Sequence, residues 1–280
     1  MPDFRSLLKV RGPLLLPGAH DALTARMIEN AGFTAYGIGG AALAATQMAL
    51  PDAGLQSFGE YREAVGRIME GSTLPVMVDG ENGFGDVKAI TRTVRSFERM
   101  GVGALSFEDL TFPPIMGARL TVMSRKEIRT KLEAALAART GQALMIVGRT
   151  DAAYVLGTDE ALQRVREIEQ LGADAVLATG LPDLAAYQVL RDTTKLPVIA
   201  VVIPGSPWYA PSLAELQALG IEAALYPAAI LTRIMQAVDS GLQAIRMAGG
   251  APPAGFDMRS MGAPLRAEEW VAIDQRFYKP

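Results

Sequence analysis

The stretch ERMGVGALSFEDL, residues 98–110, decides the architecture. A helix-type segment stops at Gly101, a position suited to a left-handed cap. The apolar run that follows shows no polar alternation, as in a strand covered on both faces, and breaks off at Glu108 and Asp109. Helix, glycine, buried strand and polar strand end together form one unit of a parallel α/β fold.

That unit recurs outward in both directions. Strand-type runs are LLLPGA (14–19), AYGIGG (35–40), PVMVDG (75–80), ALSFED (104–109), LMIVGRT (144–150), AVLATG (175–180), PVIAVV (197–202) and AALYPA (223–228). Amphipathic helical segments such as ALTARMIENAG, SRKEIRTKLEAALAART and DEALQRVREIEQLG lie between them. Glycines at 32, 172 and 220 repeat the stop signal of Gly101. Eight such units predict a (β/α)8 TIM barrel over residues 1–248, with a doubly wound open sheet as the alternative. Residues 249–280 begin rich in Gly, Pro and Ala, then turn helical at RAEEWVAIDQRFY, with Trp270 and Phe277 available as anchors. This C-terminal helical extension must pack outside the barrel or on a neighbouring subunit.

Half of the 280 residues are hydrophobic, ample for a large core, and the formal net charge is −3 with no basic block. Nucleic-acid binding through phosphate neutralisation is therefore not expected. The chain has no cysteine, which removes disulfides, thiolate metal sites and a cysteine nucleophile. No segment reads as an export signal or a membrane span, so a cytoplasmic protein is expected.

Barrel enzymes place their chemistry at the C-terminal strand ends. Here those ends are His20-Asp21, Gly39-Gly40-Ala41, Asp79-Gly80-Glu81, Glu108-Asp109 and Arg149-Thr150-Asp151, with Asp52 close after the second strand. The last three strands end in less polar residues. Carboxylates converging on one mouth need a positive partner, and Arg149 can offset one of them. An all-oxygen donor set of Asp52, Asp79, Glu81 and Glu108, with a single histidine in the chain, favours Mg2+ or Mn2+ over Zn2+. One direct carboxylate with waters and outer carboxylates would suffice. Any single acid, Asp109 or Asp151 for example, reads equally well as a helix cap or a solvated charge. Asp21 reads as a helix N-cap, and His20 has no nucleophile pattern beside it. GIGGAALA (37–44) lacks dinucleotide spacing; the backbone at Gly40 and Ala41 suits either an anion or close helix–strand packing.

PDAGLQSFGEY after a GG turn, then DGENGFG, FEDLTFP and GRTDA, in that order across residues 14–245, resembles the isocitrate lyase/PEP mutase superfamily. The resemblance implies a (β/α)8 barrel whose C-terminal helix is swapped within a dimer or tetramer. It also implies Mg2+ holding a 2-oxo or 2-hydroxy acid or its enolate. Asp79 would bond the metal, with Asp52, Glu81 and Glu108 around it. Gly39, Gly40 and Ala41 would hold a substrate carboxylate, and Arg149 would bind substrate and stabilise the enolate oxygen.

The departures are specific. DGEN stands where the family has DxDT, so Glu81 is one methylene longer. The lyase loop with its catalytic cysteine is replaced by Pro114, Ile115, Met116 and Ala118. VLATG lacks the usual Glu, VVIPGSP the usual Asn, and YPAA a histidine. The resemblance is nearest to oxaloacetate decarboxylase-like members without the cysteine. It implies decarboxylation of oxaloacetate to pyruvate and CO2, with water, Tyr154 or Tyr209 as proton source. Cleavage of a bulkier substituted malate and non-catalytic binding of a 2-oxo acid are the alternatives. The segment 110–123 reads as either a lid or an ordinary loop.

Overall fold

The computed structural model describes residues 3–111, 120–203, 205–206, 208–247 and 261–278. All eight expected strands are present, each trimmed at one or both ends: β1 Leu14–Pro17, β2 Tyr36–Ile38, β3 Val76–Asp79, β4 Ala104–Phe107, β5 Met145–Thr150, β6 Ala175–Ala178, β7 Val198–Val201 and β8 Ala223–Tyr226. They pair in parallel in the order β1-β8-β7-β6-β5-β4-β3-β2. A parallel bridge from Gly18 to Gly37, with Ala19 N donating to Gly37 O at 2.8 Å, joins the two outer strands and closes the sheet. The fold is a (β/α)8 barrel, and the open-sheet alternative is set aside by that joint.

The helices are α1 Phe4–Leu7, α2 Ala22–Asn30, α3 Gly40–Met48, α4 Phe58–Glu70, α5 Val87–Met100, α6 Arg125–Ala138, α7 Ala152–Leu156, α8 Thr158–Gln170, α9 Leu184–Thr193, α10 Leu213–Leu219, α11 Ala229–Met247 and α12 Ala267–Phe277. Gly101 and Gly220 end α5 and α10 in the left-handed conformation, as their places in the sequence required. Asp21 caps α2 by accepting from Thr24 N at 2.6 Å.

Two apolar clusters explain why the strands read as unbroken hydrophobic runs. One cluster fills the barrel interior with Leu16, Met77, Met145, Val147, Leu177 and Ile199, and Phe4 and Leu7 of α1 pack against it. The other lies between strands and helices, and includes Val78, Phe107, Ile146, Val176, Ile90 and Phe97. Successive strand residues point to opposite faces, and here both faces are dry.

The C-terminal helices differ from the rest. Among the described residues neither α11 nor α12 contributes a buried side chain, and Trp270 and Phe277 are 68% and 69% exposed. The two aromatics therefore do not anchor α12 on the described barrel. Residues 249–260, which begin the expected extension, lie outside the described residues. Among the described residues no helix is long and apolar enough to cross a membrane.

Candidate active site

The loop Asp79–Asp86 leaves β3 through a chain of unusual backbone conformations. Glu81, Gly83, Phe84 and Gly85 all have positive φ. For Glu81 (φ 52°) and Phe84 (φ 59°) this region is sparsely populated, and such strain persists where the surroundings hold it. Asp79 supplies part of that hold. Its Oδ1 accepts from Glu81 N at 3.1 Å and from Ser106 Oγ at 3.4 Å. The Asp79 carbonyl accepts from the Tyr61 hydroxyl at 2.6 Å, and Glu108 N donates to Glu81 O at 2.9 Å. The result is a tight turn that keeps both side chains at the barrel mouth.

Arg149, near the end of β5, organises the centre. Its Nη1 donates to Asp79 Oδ2 at 2.9 Å and lies 2.9 Å from Glu108 Oε2. Its Nη2 donates to Asp151 Oδ1 at 3.0 Å, and Nε stands 2.9 Å from Asp151 Oδ2. Burial opposes the guanidinium charge, but Asp151, Glu108 and Asp79 outweigh it and raise the arginine pKa. Burial pushes the Glu81 and Glu108 pKa values well up. For Glu81 the charges of Asp79 and Asp52 add to the rise; for Glu108, Arg149 pulls the other way. Asp52 sits on the exposed rim. The protein crowding its carboxyl, then the Asp79 charge, raises its pKa, while the Arg149 charge opposes the rise.

Beneath Arg149 lies a buried support. Asp109 Oδ2 accepts from Thr150 Oγ1 at 2.6 Å and from Arg164 Nη1 at 2.9 Å, and its Oδ1 accepts from Asp151 N at 2.8 Å. Asp109 is thus neither helix cap nor solvated charge, and Asp151 is equally buried. Thr179 Oγ1 donates to Asp151 Oδ1 at 2.5 Å. Asp151 and Thr179 complete the surroundings of Arg149, Thr179 from the end of β6. Asp151 too stands at a strand end, which was the available signal.

The substrate cradle read from the GG turn takes a specific form. Gly40 begins α3, and its N-cap Gly39 has no side-chain cap bond. A β-carbon on Gly40 would overlap Glu81 Oε1, so the absent side chain is what admits the glutamate. Gly39, Gly40 and Ala41 line a cavity of about 390 Å³ together with Asp52, Asp79, Glu81, Glu108 and Arg149. All the residues singled out for substrate and metal therefore face one space. Asp52 and Glu81 also line a second cavity of about 760 Å³, toward Tyr61 and Lys131. His20 lines neither. It is buried, 3.3 Å by Nε2 from Thr24 Oγ1, and desolvation lowers its pKa.

Among the described residues no three His, Cys, Asp or Glu side chains converge closely enough to hold a metal by themselves. Arg149 is inserted among the carboxylates and spaces them. The donor chemistry nevertheless fits a hard divalent cation. All the donors are oxygen, five carboxyls face a single guanidinium, and burial and repulsion leave Glu81 and Glu108 reluctant to ionise. One direct carboxylate with waters suits that arrangement.

The other walls are apolar: Leu110, Leu120, Val201, Ile203, Leu225 and Leu231. Leu110 and Val122 form an antiparallel bridge at the base of the loop read as either a lid or an ordinary connection, whose residues 112–119, including Pro114, Ile115, Met116 and Ala118, lie outside the described residues. Pro227 and Ala228, from YPAA, also face the cavity.

Comparison with known proteins places this geometry. Residues 4–246 match the family model described as phosphoenolpyruvate phosphomutase. A 2,3-dimethylmalate lyase of Eubacterium barkeri is 33% identical over 227 residues, 80% of this chain and 78% of that protein. An oxaloacetate decarboxylase of Bradyrhizobium sp. strain BTAi1 is 34% identical over 239 residues, covering 85% and 81%. The barrel superposes on oxaloacetate acetylhydrolase in complex with 3,3-difluorooxalacetate at a TM-score of 0.92, with 99% and 97% of the chains covered and 23% identity, a likeness of fold. With the family match spanning nearly the whole barrel, the chain belongs to the phosphoenolpyruvate phosphomutase family.

Proposed function

We propose that the chain is a Mg2+-dependent carbon–carbon lyase that decarboxylates a small 2-oxo dicarboxylate, with oxaloacetate going to pyruvate and CO2. The observation that carries this reading is Arg149, a half-buried guanidinium fixed between Asp79 and Glu108 and facing the same cavity as the uncapped start of α3. The oxaloacetate decarboxylase relative at 34% identity supports the same choice. Asp79 would bond the cation, with Asp52, Glu81 and Glu108 around it. When bound, the cation supplies positive charge for the 2-oxo group and its neighbouring carboxylate.

The chain's own residues do the rest. The backbone N–H groups at Gly39, Gly40 and Ala41 would receive a substrate carboxylate at a helix N-terminus. Arg149 would face the oxygen on which charge grows as the bond to the departing carboxylate breaks. A donor already held in place needs no reorganisation at that moment, so its stabilisation acts on the transition state. Loss of CO2 requires no base, so the absent cysteine does not block the reaction.

A second reading is carbon–carbon cleavage of a bulkier 2-hydroxy acid, a substituted malate. The apolar walls at Leu120, Ile203 and Leu231 favour it, as does the 2,3-dimethylmalate lyase relative. Following pyruvate formation from oxaloacetate and from alkyl-substituted malates, each with Mg2+, separates the two. The metal reading is tested by calorimetry with oxalate. Asp79→Ala should abolish Mg2+-dependent oxalate binding, and unchanged affinity would refute the site. We further place the protein in the cytoplasm as a homo-oligomer, a dimer or tetramer, whose partner subunit covers α11 and α12.

A further inference from the structure

An enolate left by decarboxylation must take a proton on carbon, and the sequence offered water, Tyr154 and Tyr209. Tyr209 is committed elsewhere. Its hydroxyl donates to Glu215 Oε1 at 2.7 Å, inside the capping box of α10, and it does not line the mouth cavity. Tyr154 does line that cavity, beside Arg149, Asp151 and Thr179.

Its ring is held firmly. Trp208 packs on one side with centroids 4.5 Å apart at 56°. Gly180 meets it on another: with φ 78° and no side chain, this residue gives the ring room that a β-carbon would overlap. Among the described residues lining the cavity, four side chains carry N–H or O–H donors when the carboxyls are ionised: Ser106, Arg149, Tyr154 and Thr179. Ser106 donates to Asp79 and Thr179 to Asp151. Arg149 is ion-paired and does not release a proton. Glu81 and Glu108 are carboxyls assigned above to the surroundings of the cation, whose charge holds such groups ionised. Tyr154 is left.

We propose that Tyr154 is the acid that protonates the enolate carbon, an assignment that rests on the decarboxylase reading above. The electron pair left on the substrate when CO2 departs forms the new C–H bond with the phenolic proton. The Tyr154 O–H bond breaks, its pair remains on the phenol oxygen, and water restores the proton after pyruvate leaves. Burial, then the Asp151 charge, keeps Tyr154 protonated at rest, while the Arg149 charge and the Gly180 backbone favour the phenolate and would hold the transient charge.

The test uses the full chain with Mg2+ and follows hydrogen–deuterium exchange at the pyruvate methyl in D2O by NMR, with oxalate affinity measured alongside. General acid–base catalysis contributes about 10²- to 10⁴-fold, so Tyr154→Phe should slow exchange at least about 100-fold. Oxalate affinity should stay within about twofold, because the ring still packs on Trp208; a merely structural role would move both. Exchange at the wild-type rate in Tyr154→Phe, or a wild type that binds oxalate without exchanging pyruvate protons, would overturn the assignment. Absence of oxalate binding by the wild type would overturn the site reading itself, and this assignment with it.

Discussion

Gly18 and Gly40 both stand where a methyl group would meet an oxygen, but the two oxygens differ in kind. At Gly18 the oxygen is the Pro227 carbonyl, part of the backbone at the β1–β8 joint. Backbone cannot step aside, so Gly18→Ala should cost about 1–3 kcal/mol, the usual range for overpacking. Urea unfolding would measure it. At Gly40 the oxygen is the tip of the Glu81 side chain, which can rotate away. Gly40→Ala should therefore leave the unfolding midpoint nearly unchanged and weaken oxalate binding, because it evicts Glu81 and fills the cradle. Glu81→Asp withdraws the carboxyl by one methylene and should make the added methyl less damaging, which a double-mutant cycle on oxalate affinity would detect. Both glycines are legible in the sequence only as small residues at strand ends. Which of them faces a rigid partner depends on contacts between residues far apart in the chain.

At the scale of elements, the end of β5 is held by two layers of charge. Arg164 of α8 pairs with Asp109, and both are almost fully buried. Removing one member of a buried pair typically costs 3–5 kcal/mol, because the other charge is stranded. Asp109 keeps bonds from Thr150 and Asp151 N, so Arg164→Ala should cost about 3 kcal/mol, toward the low end of that range. It should also loosen Asp151 and thereby Arg149, and oxalate titration would reveal a weaker complex at a temperature where the variant is folded. Further out, Glu160 joins α8 to α6. Hydrogen bonds from Arg125 and Arg164, with their charges, pull its pKa from 4.5 to about 2. A carboxyl whose pKa is depressed on folding stabilises the protein fully above its unfolded value. That contribution disappears as pH falls from 4.5 toward 2. Glu160→Gln should flatten the melting-temperature profile across this window while leaving the cavity in place. The helices and their caps were readable because Asp21, Gly101 and Gly220 act on their own immediate neighbours. Arg164 was not, since nothing in an amphipathic helix marks which of its arginines points inward.

For the molecule as a whole, the last two helices carry the open question of assembly. Along α11, Met235, Val238, Leu242 and Ile245 all lie exposed, a contiguous apolar face with nothing packed on it among the described residues. Burying such a face on a second copy would remove the cost of exposing it. Light scattering coupled to size exclusion should give a dimer or tetramer, and Val238→Glu with Leu242→Glu should shift it to smaller species. A monomeric wild type would refute the oligomer.

The barrel and the mouth residues were determined by the sequence alone, because both rest on local regularities. Buried parallel strands are apolar on both faces, each helix needs a stop, and the active end of a barrel is the end of each strand. Asp79, Glu81, Glu108 and Arg149 follow from those positions, while Asp52 reaches the same mouth from beyond α3. Tertiary structure alone decided what these residues do to one another. It set Arg149 between two carboxylates, laid Glu81 against Gly40, drew in Asp151 and Thr179, and separated Tyr154 from Tyr209. Charge, burial and hydrogen bonding are fixed by distances across the barrel, and neighbours along the chain carry no record of them.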